Sequence, residues 1–321
     1  MVLVLIGITL LNGSRGGDDV ADVADVRGQK LEPLQQNERL QVYFLDVGQG
    51  DSIYIRTPGE QDILIDGGPD KSVLNQLGEV MPFWDREIDV MILTHPHSDH
   101  VTGLVEVLRR YSVKQIYYTG ALHTAPDYLA WLEEIKKQNL DLKIVEHPFE
   151  IDFGNEVKLQ FLFPQKSLLN QKMEELNNSS IVNKLVYKNV SFLFMGDVEE
   201  PVEEELLKSS PAAVVISTEV EKSTTAIGMT TATEQDDQFL SLKADVLKVG
   251  HHGSSSSSSE EFLEAVSPQI AVIQVGKDNE FGHPHLKILK RLERLGVKIW
   301  RNDEDGRILL ASDGNQIFID E

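Results

Sequence analysis

The six residues His95-Pro96-His97-Ser98-Asp99-His100 place four metal-ligand side chains in one short stretch. The chain has nine histidines in all, so a third of them lie in this stretch. The preceding run REIDVMILT is typical of a buried strand, and Pro96 interrupts regular structure after it. Helical spacing of the following apolar residues predicts a helix that starts near Val101. The fold must therefore hold this cluster on a tight loop at the carboxyl end of a strand.

The cluster predicts two metal ions, because one small ion does not need four ligands from a single loop. Imidazole and carboxylate groups are common ligands of zinc and related divalent ions. Since the sequence has no cysteine, any transition-metal site must be built from His, Asp and Glu. A merely polar or pH-sensitive surface loop is the alternative interpretation, but repeated histidines at this spacing favour metal binding.

Further ligands are expected where other apolar runs end in polar residues. FLFMGD ends in Asp197, which is well placed to bridge two ions. VLKVGHHGS contains the adjacent pair His251 and His252, and ILIDGG contains Asp66. For the two aspartates the alternative is a turn-forming role, and for the histidine pair it is a solvent-facing position.

The chain is acidic, with a formal charge of −22 over 321 residues. This charge argues against a broad basic surface that grips nucleic acid through its phosphates. The run MVLVLIGITLL is too short to span a bilayer, and residues 12–38 read as a solvated linker. The leader is either part of a signal or anchor segment or an apolar tail. Residues 1–39 therefore predict that the protein is located outside the cytoplasm, either secreted or anchored to a membrane. A cytoplasmic location is the alternative.

Residues 40–321 are predicted to form the folded domain. A β-rich start followed by alternating strands and helices is repeated loosely in the second half, which predicts two facing sheets with helices outside. Hairpins are expected over Lys188-Asn189 and Asp313-Gly314, and a capping box from Ser258 to Glu261. Residues 209–241 are rich in Ser and Thr and lack periodicity, so they predict a flexible insertion.

Together these motifs resemble the metallo-β-lactamase fold, whose HxHxDH signature HPHSDH matches. More narrowly, FLDVGQGDS, LTHPHSDHVTGL, LKVGHHGSSSSS and GKDNEFGHPH resemble the extracellular hydrolase domain of ComEC-type competence DNA-uptake proteins and its stand-alone secreted relatives. The resemblance covers roughly residues 40–313 apart from the insertion. It implies an α/β fold, an αββα four-layer sandwich, with metals at the edge between the two sheets.

The resemblance also implies a role for each motif residue. His95 and His97 are expected to hold one ion, Asp99 and His100 the other, with Asp197 between them. Either His251 or His252 completes the second site, and His251 is preferred because it is nearer the strand end. Asp66 is expected to orient the cluster from behind. Many members have an additional histidine where LNNSSIVNKL has Asn178 and Ser179, which are expected to support the cluster from behind together with Asp66. His123 and His147 lie outside that context, so either the first ion is held more weakly or water fills the gap, and the change argues against β-lactamase activity.

The predicted function is a metal-dependent hydrolase, a phosphodiesterase or nuclease that uses a metal-bound hydroxide and two divalent ions, zinc or manganese. Asp99 would accept a proton, and His252 or His283 would stabilise charge or protonate the leaving group. Backbone N–H groups at Gly253-Ser254 and the serine run would cradle a phosphate, unless the run is a flexible linker.

The expected partner is a phosphodiester, either a small one or single-stranded DNA, and the acidic charge favours the small one. Membrane anchoring through the N-terminal apolar segment is a further expectation, and no obligate protein partner is inferred. Two other functions stay open: hydrolysis of another ester, such as a phosphorylcholine ester or a lactone, and a non-catalytic metal-bound binding module.

Overall fold

The computed structural model describes residues 9–11, 39–210 and 241–320. The strands are β1 Thr9–Leu11, β2 Leu40–Phe44, β3 Ile53–Arg56, β4 Asp62–Ile65, β5 Glu87–Ile92, β6 Ser112–Tyr118, β7 Asp141–Ile144, β8 Phe149–Asp152, β9 Val157–Phe163, β10 Val182–Tyr187, β11 Val190–Phe194, β12 Val246–Lys248, β13 Ile270–Ile273, β14 Lys298–Arg301, β15 Ile308–Ser312 and β16 Ile317–Asp320. The helices are α1 Ser72–Val80, α2 Ser98–Leu108, α3 Pro126–Gln138, α4 Glu200–Ser209, α5 Glu260–Val266, α6 Leu286–Arg294 and α7 Asn302–Asp305. Short 3₁₀ turns cover Leu176–Ser179 and Gly250–Gly253.

The strands form two mixed sheets. The first has the order β1-β16-β15-β2-β3-β4-β5-β6-β7, and the second has the order β14-β13-β12-β11-β10-β9-β8. The last hairpin therefore returns to the first sheet, where β15 pairs with β2. Strands β4, β5 and β6 are parallel, and so are β11, β12 and β13, so several strands of each sheet end at one edge.

Alternating side chains divide the interior into layers. Along β2, Leu40, Val42 and Phe44 point into a core shared by both sheets, whereas Tyr43 packs on the outer side. This alternation is the period-2 pattern of a strand buried on both faces. Outside the first sheet, Leu77 of α1, Leu104 of α2 and Trp131 of α3 form a second apolar core.

The second sheet is covered in the same way. Val202 of α4, Phe262 of α5 and Ile288 of α6 pack on its outer face. The molecule thus has four layers, helix–sheet–sheet–helix, and the predicted αββα sandwich is confirmed. None of the helices in the described ranges has the length and apolar character needed to cross a bilayer.

Both predicted hairpins are present. Strands β10 and β11 turn over Lys188-Asn189, and β15 and β16 turn over Asp313-Gly314. Helix α2 begins at Ser98 instead of near Val101, because its first turn carries polar residues that apolar spacing does not detect. The capping box was misplaced by one residue: Ser259 caps α5 and accepts from the Phe262 N–H, whereas Ser258 has a left-handed backbone.

Two predicted segments lie largely outside the described residues. Of the leader and linker, the structure describes Thr9–Leu11, which pairs in parallel with β16, and residue 39. Of the predicted insertion at 209–241, Ser209 ends α4, Ser210 follows it, and Ser241 leads toward β12.

Candidate metal centre

The predicted ligand residues lie at strand ends of both sheets. His95 and His97 follow β5, and Asp99 and His100 lie in the first turn of α2. Asp197 follows β11, and His252 lies on the turn after β12. The two sheets therefore supply different members of one cluster.

Four of these side chains form a compact quartet: Asp99, His100, Asp197 and His252 each offer a ligand atom, and these atoms all lie within 4.8 Å of one another. Asp197 Oδ2 is 3.3 Å from His100 Nε2 and 3.4 Å from His252 Nε2. Asp99 Oδ2 is 3.4 Å from His252 Nε2. The Asp99 side chain is 29% exposed while the other three are buried, so solvent reaches the quartet at Asp99.

Unsatisfied polar atoms converge in the quartet. His100 Nε2, His252 Nε2 and Asp197 Oδ1 are buried and have no hydrogen-bond partner among the described residues. Such atoms are costly in a folded protein unless something satisfies them. Two imidazole nitrogens and two carboxylates are a donor set suited to a divalent transition metal. The residues present therefore fit a bound cation.

The electrostatics of the quartet agree with this fit. Burial opposes charging of His100, but Asp197, Asp66 and Asp99 outweigh it and raise its pKa well above the usual range. The pKa of His252 is raised in the same way, mainly by Asp197 and Asp51. Burial alone would raise the pKa of Asp197, yet the two histidines hold it well below its usual range. A bound cation would supply the positive charge that these carboxylates favour, in place of protons.

His95 and His97 form a pair beside the quartet. His95 Nε2 is 2.9 Å from His97 Nδ1 and 3.9 Å from Asp197 Oδ2, so Asp197 faces both groups. His95 is fully buried, and His97 is half-buried. This pair with Asp197 is the place that the sequence predicts for the first ion.

The structure places His252, and not His251, at the quartet. Both residues have left-handed backbone, with φ of 48° and 52°, so their side chains leave the chain in different directions. The His251 ring is 3.2 Å from Glu199 Oε1 and 3.3 Å from Ser256 Oγ, and it is 21% exposed. The sequence preference for His251 was based on its position nearer the strand end. It was wrong because the backbone turn directs the His252 ring, and not the His251 ring, toward the quartet.

Asp66 lies behind His100 and orients it. Asp66 Oδ2 is 2.8 Å from His100 Nδ1, and Asp66 also accepts from the N–H and hydroxyl of Thr94. The loop after Asp66 packs directly on α2: Gly67 donates to the His100 carbonyl at 2.8 Å. A Cβ on Gly103 would lie 1.8 Å from the Gly67 carbonyl oxygen, so this close approach requires glycine at 103. The loop and helix hold His100 in one orientation.

Two residues that sequence reasoning missed complete the support. Lys248 is fully buried; its Nζ pairs with Asp51 Oδ2, donates to the Gly196 carbonyl at 3.0 Å, and lies 3.8 Å from Asp197 Oδ1. Asp51 Oδ1 is 3.3 Å from His252 Nδ1. Lysine inside the apolar strand ADVLKVG was the available signal, since a buried charge requires a partner.

Asp51, Asp66 and His100 also offer ligand atoms within 4.8 Å of one another. However, Asp66 is occupied by Thr94 and His100 Nδ1. Asp51 Oδ2 pairs with Lys248, and Asp51 Oδ1 lies beside His252 Nδ1. We interpret this group as the support behind the quartet and not as a separate cation site.

Asn178 and Ser179 do not point toward the quartet. Asn178 Oδ1 accepts from the Glu199 N–H at 2.9 Å, and Ser179 Oγ donates to the Leu176 carbonyl. Their neighbour Ser180 has the supporting contact instead, since its hydroxyl accepts from the Asp197 N–H at 3.1 Å. Of the histidines set aside, His123 has its ring centroid 6.2 Å from that of His97, whereas the exposed His147 contacts the Pro148 carbonyl.

The serine run is not a linker, and its own backbone N–H groups are not available as a phosphate cradle. Every backbone N–H from Ser254 to Ser259 has an acceptor inside the protein: His251 O, His285 Nδ1, Ser254 Oγ, Ser254 O, and for the last two the Glu203 carboxylate. These donors are therefore not free to bind a ligand. The segment is an ordered support that joins α4 to the turn carrying His252.

His283 lies beside the quartet on the loop before α6. Its ring centroid is 6.3 Å from that of His252 and 5.6 Å from that of His251. Burial, followed by the neighbouring histidines, lowers the pKa of His283 to about 4. The imidazole is therefore neutral at pH 7 and offers hydrogen bonding in place of a positive charge.

The chain is similar to several known proteins. A family model described as the metallo-beta-lactamase superfamily matches residues 45–277, which is more than half of the chain. ComE operon protein 3 of Bacillus subtilis (strain 168) is 28% identical over 285 residues, covering 84% of this chain and 32% of that protein. Competence protein ComA of Neisseria gonorrhoeae is 27% identical over 286 residues, covering 86% of this chain and 33% of that protein. The chain thus spans about a third of the length of these curated relatives.

Among solved structures, the metallo-beta-lactamase fold protein YhfI from Bacillus subtilis is similar with a TM-score of 0.46 and 11% identity. The similarity covers 82% of this chain and 96% of that one.

Proposed function

The chain belongs to the metallo-β-lactamase superfamily and is a metal-dependent hydrolase of that superfamily, and on this premise we propose that it hydrolyses phosphodiesters. The observation that carries the proposal is the position of Asp197. Its Oδ2 faces His100 and His252 of the quartet, and it lies 3.9 Å from His95 of the adjacent pair. One carboxylate shared by two groups of ligands is the arrangement expected of a two-ion site, which suits the displacement at a phosphodiester.

The chain's residues divide the work between holding ions and handling protons. His100, His252, Asp99 and Asp197 would hold one ion, and His95 and His97 with Asp197 would hold the other. When bound, a divalent ion supplies Lewis acidity that activates water at neutral pH and offsets charge on phosphate oxygens. Asp66 holds the His100 ring from behind at 2.8 Å. The Gln274 carbonyl holds the His252 ring at 2.9 Å from Nδ1, and Asp51 Oδ1 lies 3.3 Å from the same nitrogen.

In this proposal Asp99 accepts the proton of the attacking water. It is the only member of the quartet that solvent reaches, so water can approach its Oδ2. Burial alone would raise its pKa, but His100 and His252 lower it, so Asp99 is ionised at neutral pH. His283 would donate or accept a hydrogen bond at the substrate. Because it is neutral at pH 7, it carries no extra proton to give to the leaving group.

The similarity to competence proteins supports a phosphodiester over a lactone or another ester, since the resemblance is to DNA-uptake proteins. The formal charge of −22 favours short or single-stranded substrates, because an acidic protein gains little from the charge of a long duplex.

The experiment is an assay on bis-p-nitrophenyl phosphate and a single-stranded oligonucleotide, with Mn²⁺ or Zn²⁺ and with chelator. We expect hydrolysis that chelator abolishes. Asp99→Asn at saturating metal should lower kcat by about 10²–10⁴-fold, because asparagine cannot accept the proton. His147→Ala, on an exposed histidine that contacts the Pro148 carbonyl, is the matched control and should keep wild-type turnover. Turnover of lactones or carboxylic esters, with no cleavage of either phosphodiester, would overturn the proposal.

A further inference from the structure

A bulky aromatic side chain is exposed beside the quartet. Phe281 is 64% exposed, although phenylalanine side chains usually lie inside proteins. Its ring stacks on the His283 ring, with centroids 5.8 Å apart and an interplanar angle of 24°. The exposed Phe281 therefore has a fixed ring neighbour on one side and solvent over most of its surface.

The loop that carries Phe281 is held in place by hydrogen bonds. Asn279 Nδ2 donates to the carbonyls of Gly276 and His283, and Asn279 Oδ1 accepts from the His283 N–H. The Gly276 N–H donates to Gln49 Oε1, which ties this loop to the first sheet's side of the site. The aromatic ring is thus presented on a braced turn, and its position relative to the quartet is defined.

The His283 ring lies between the Phe281 ring and the ring of His252, one of the proposed metal ligands. His283 stacks on Phe281, and the His283 ring is tilted by 32° to the His252 ring at a centroid distance of 6.3 Å. A planar group lying on Phe281 would therefore be close to a phosphodiester bound at the quartet. Nucleobases are planar groups covalently linked to phosphodiesters, and they stack on exposed aromatic side chains regardless of sequence.

We propose that Phe281, supported by His283, is a stacking site for the nucleobase of a nucleotide that flanks the scissile phosphodiester. The inference rests on the proposed phosphodiesterase function and names its substrate class: single-stranded nucleic acid or another base-bearing phosphodiester. Stacking also provides attraction that does not depend on charge. For a protein with a formal charge of −22, this is a means of holding a polyanion that phosphate contacts alone would not give.

The test compares two oligomers of equal length and equal phosphate number. One is oligothymidylate, and the other has tetrahydrofuran residues that lack bases. Wild-type protein should cleave oligothymidylate with the higher kcat/KM. Phe281→Ala should lower kcat/KM for oligothymidylate by about 5–100-fold and leave the abasic oligomer nearly unchanged. Phe281→Trp should retain the preference, because its ring also stacks.

Phe83→Ala is the matched control. Phe83 is 81% exposed, but it lies in the loop that leads into the amino end of β5, away from the quartet. This variant should behave as wild type on both oligomers. Fluorescence anisotropy of labelled oligothymidylate with metal-free protein, prepared with chelator, measures binding without turnover. Phe281→Ala should weaken this binding by about the same factor as it lowers kcat/KM for oligothymidylate.

The outcomes separate this inference from the proposed function. Equal losses on both oligomers, or no loss on either, would overturn the stacking site while phosphodiesterase activity stands. If no phosphodiester is cleaved but binding of oligothymidylate still depends on Phe281, the proposed function fails and the stacking site is supported.

Discussion

The adjacent residues His251 and His252 have opposite surroundings although they share a turn. His252 points its Nε2 into the quartet, and His251 packs against Glu199 and Ser256. We predict that His252→Ala lowers the affinity for Mn²⁺ or Zn²⁺ by more than about 100-fold, whereas His251→Ala lowers it by less than about 10-fold. Titration calorimetry on metal-stripped protein measures both. Equal losses in the two variants would contradict the assignment of His252.

Lys248 gives a second prediction for single residues. Its buried ammonium pairs with Asp51, so Lys248→Met would leave a buried carboxylate without its cation. We expect a loss of about 3–5 kcal/mol in the free energy of unfolding, measured by urea denaturation of metal-free protein.

The double variant Lys248→Met/Asp51→Asn is the control for this pair. It removes both charges, so it should be less destabilised than Lys248→Met alone. A double variant that loses the sum of the two single effects would show that the two residues do not stabilise each other.

For the elements of the fold, the connection between α4 and the serine run gives a prediction. Glu203 of α4 is buried and accepts from the N–H groups of Ser258 and Ser259. Glu203→Ala leaves the buried Ser258 N–H and the partly buried Ser259 N–H without an acceptor, so we expect a loss of about 2–4 kcal/mol of stability. Glu203→Gln keeps one acceptor oxygen and should lose less. Urea denaturation of both variants measures the difference, and equal stability of Glu203→Ala and wild type would show that the serine run is not anchored here.

The same residue predicts a pH dependence. Burial raises the pKa of Glu203 above its ordinary value of 4.5, against the hydrogen bonds from Ser258 and Ser259. The folded state therefore holds its proton more tightly than the unfolded state, and stability contributed by this group falls as pH rises from 4.5 through the raised pKa. Glu203→Gln should flatten this part of the stability profile, which denaturation at a series of pH values would show.

Elements differed in how well the sequence predicted them. The hairpin over Lys188-Asn189 and the strand before His95 followed from alternation, turn residues and apolar runs, which depend on local chemistry. The start of α2 at Ser98 was missed because polar residues in a first turn carry no apolar period. The serine run was misread because its order comes from Glu203 and His285, which are distant in sequence.

The same limit applied within the candidate site. Spacing and residue type were enough to predict that His95, His97, Asp99, His100 and Asp197 lie close together, because each follows a strand directly or begins the helix after it. The choice between His251 and His252 depends on left-handed backbone at both positions, which the letters do not reveal. Asp51 and Lys248 lie 197 positions apart in the chain and meet only after the two sheets pack.

For the whole molecule, the quartet joins the two sheets. Asp99 and His100 come from the first sheet's side, and Asp197 and His252 come from the second. We predict that Mn²⁺ or Zn²⁺ at about 100 times its Kd adds about 2.7 kcal/mol of stability, because the ion binds the folded state alone. Differential scanning calorimetry should show a rise in Tm of about 4–5 °C, and chelator should reverse it. His252→Ala should show little rise, and an equal rise in that variant would place the stabilising ion elsewhere.

The location of the protein outside the cytoplasm and its anchoring to a membrane stay predictions. They depend on residues 1–39, which lie almost entirely outside the described residues. The flexible insertion at 209–241 stays a prediction for the same reason.

The return of the last hairpin to the first sheet has a consequence for biosynthesis. Strand β2 is buried along its whole length, and one of its two neighbours is β15, from the final residues of the domain. A ribosome adds about 5–20 residues per second, so β2 waits on the order of tens of seconds for that neighbour. During this time the unpaired backbone N–H and C=O groups along its edge are open to pairing with other nascent chains. Chaperones that shield the growing chain would therefore matter most before β15 leaves the exit tunnel.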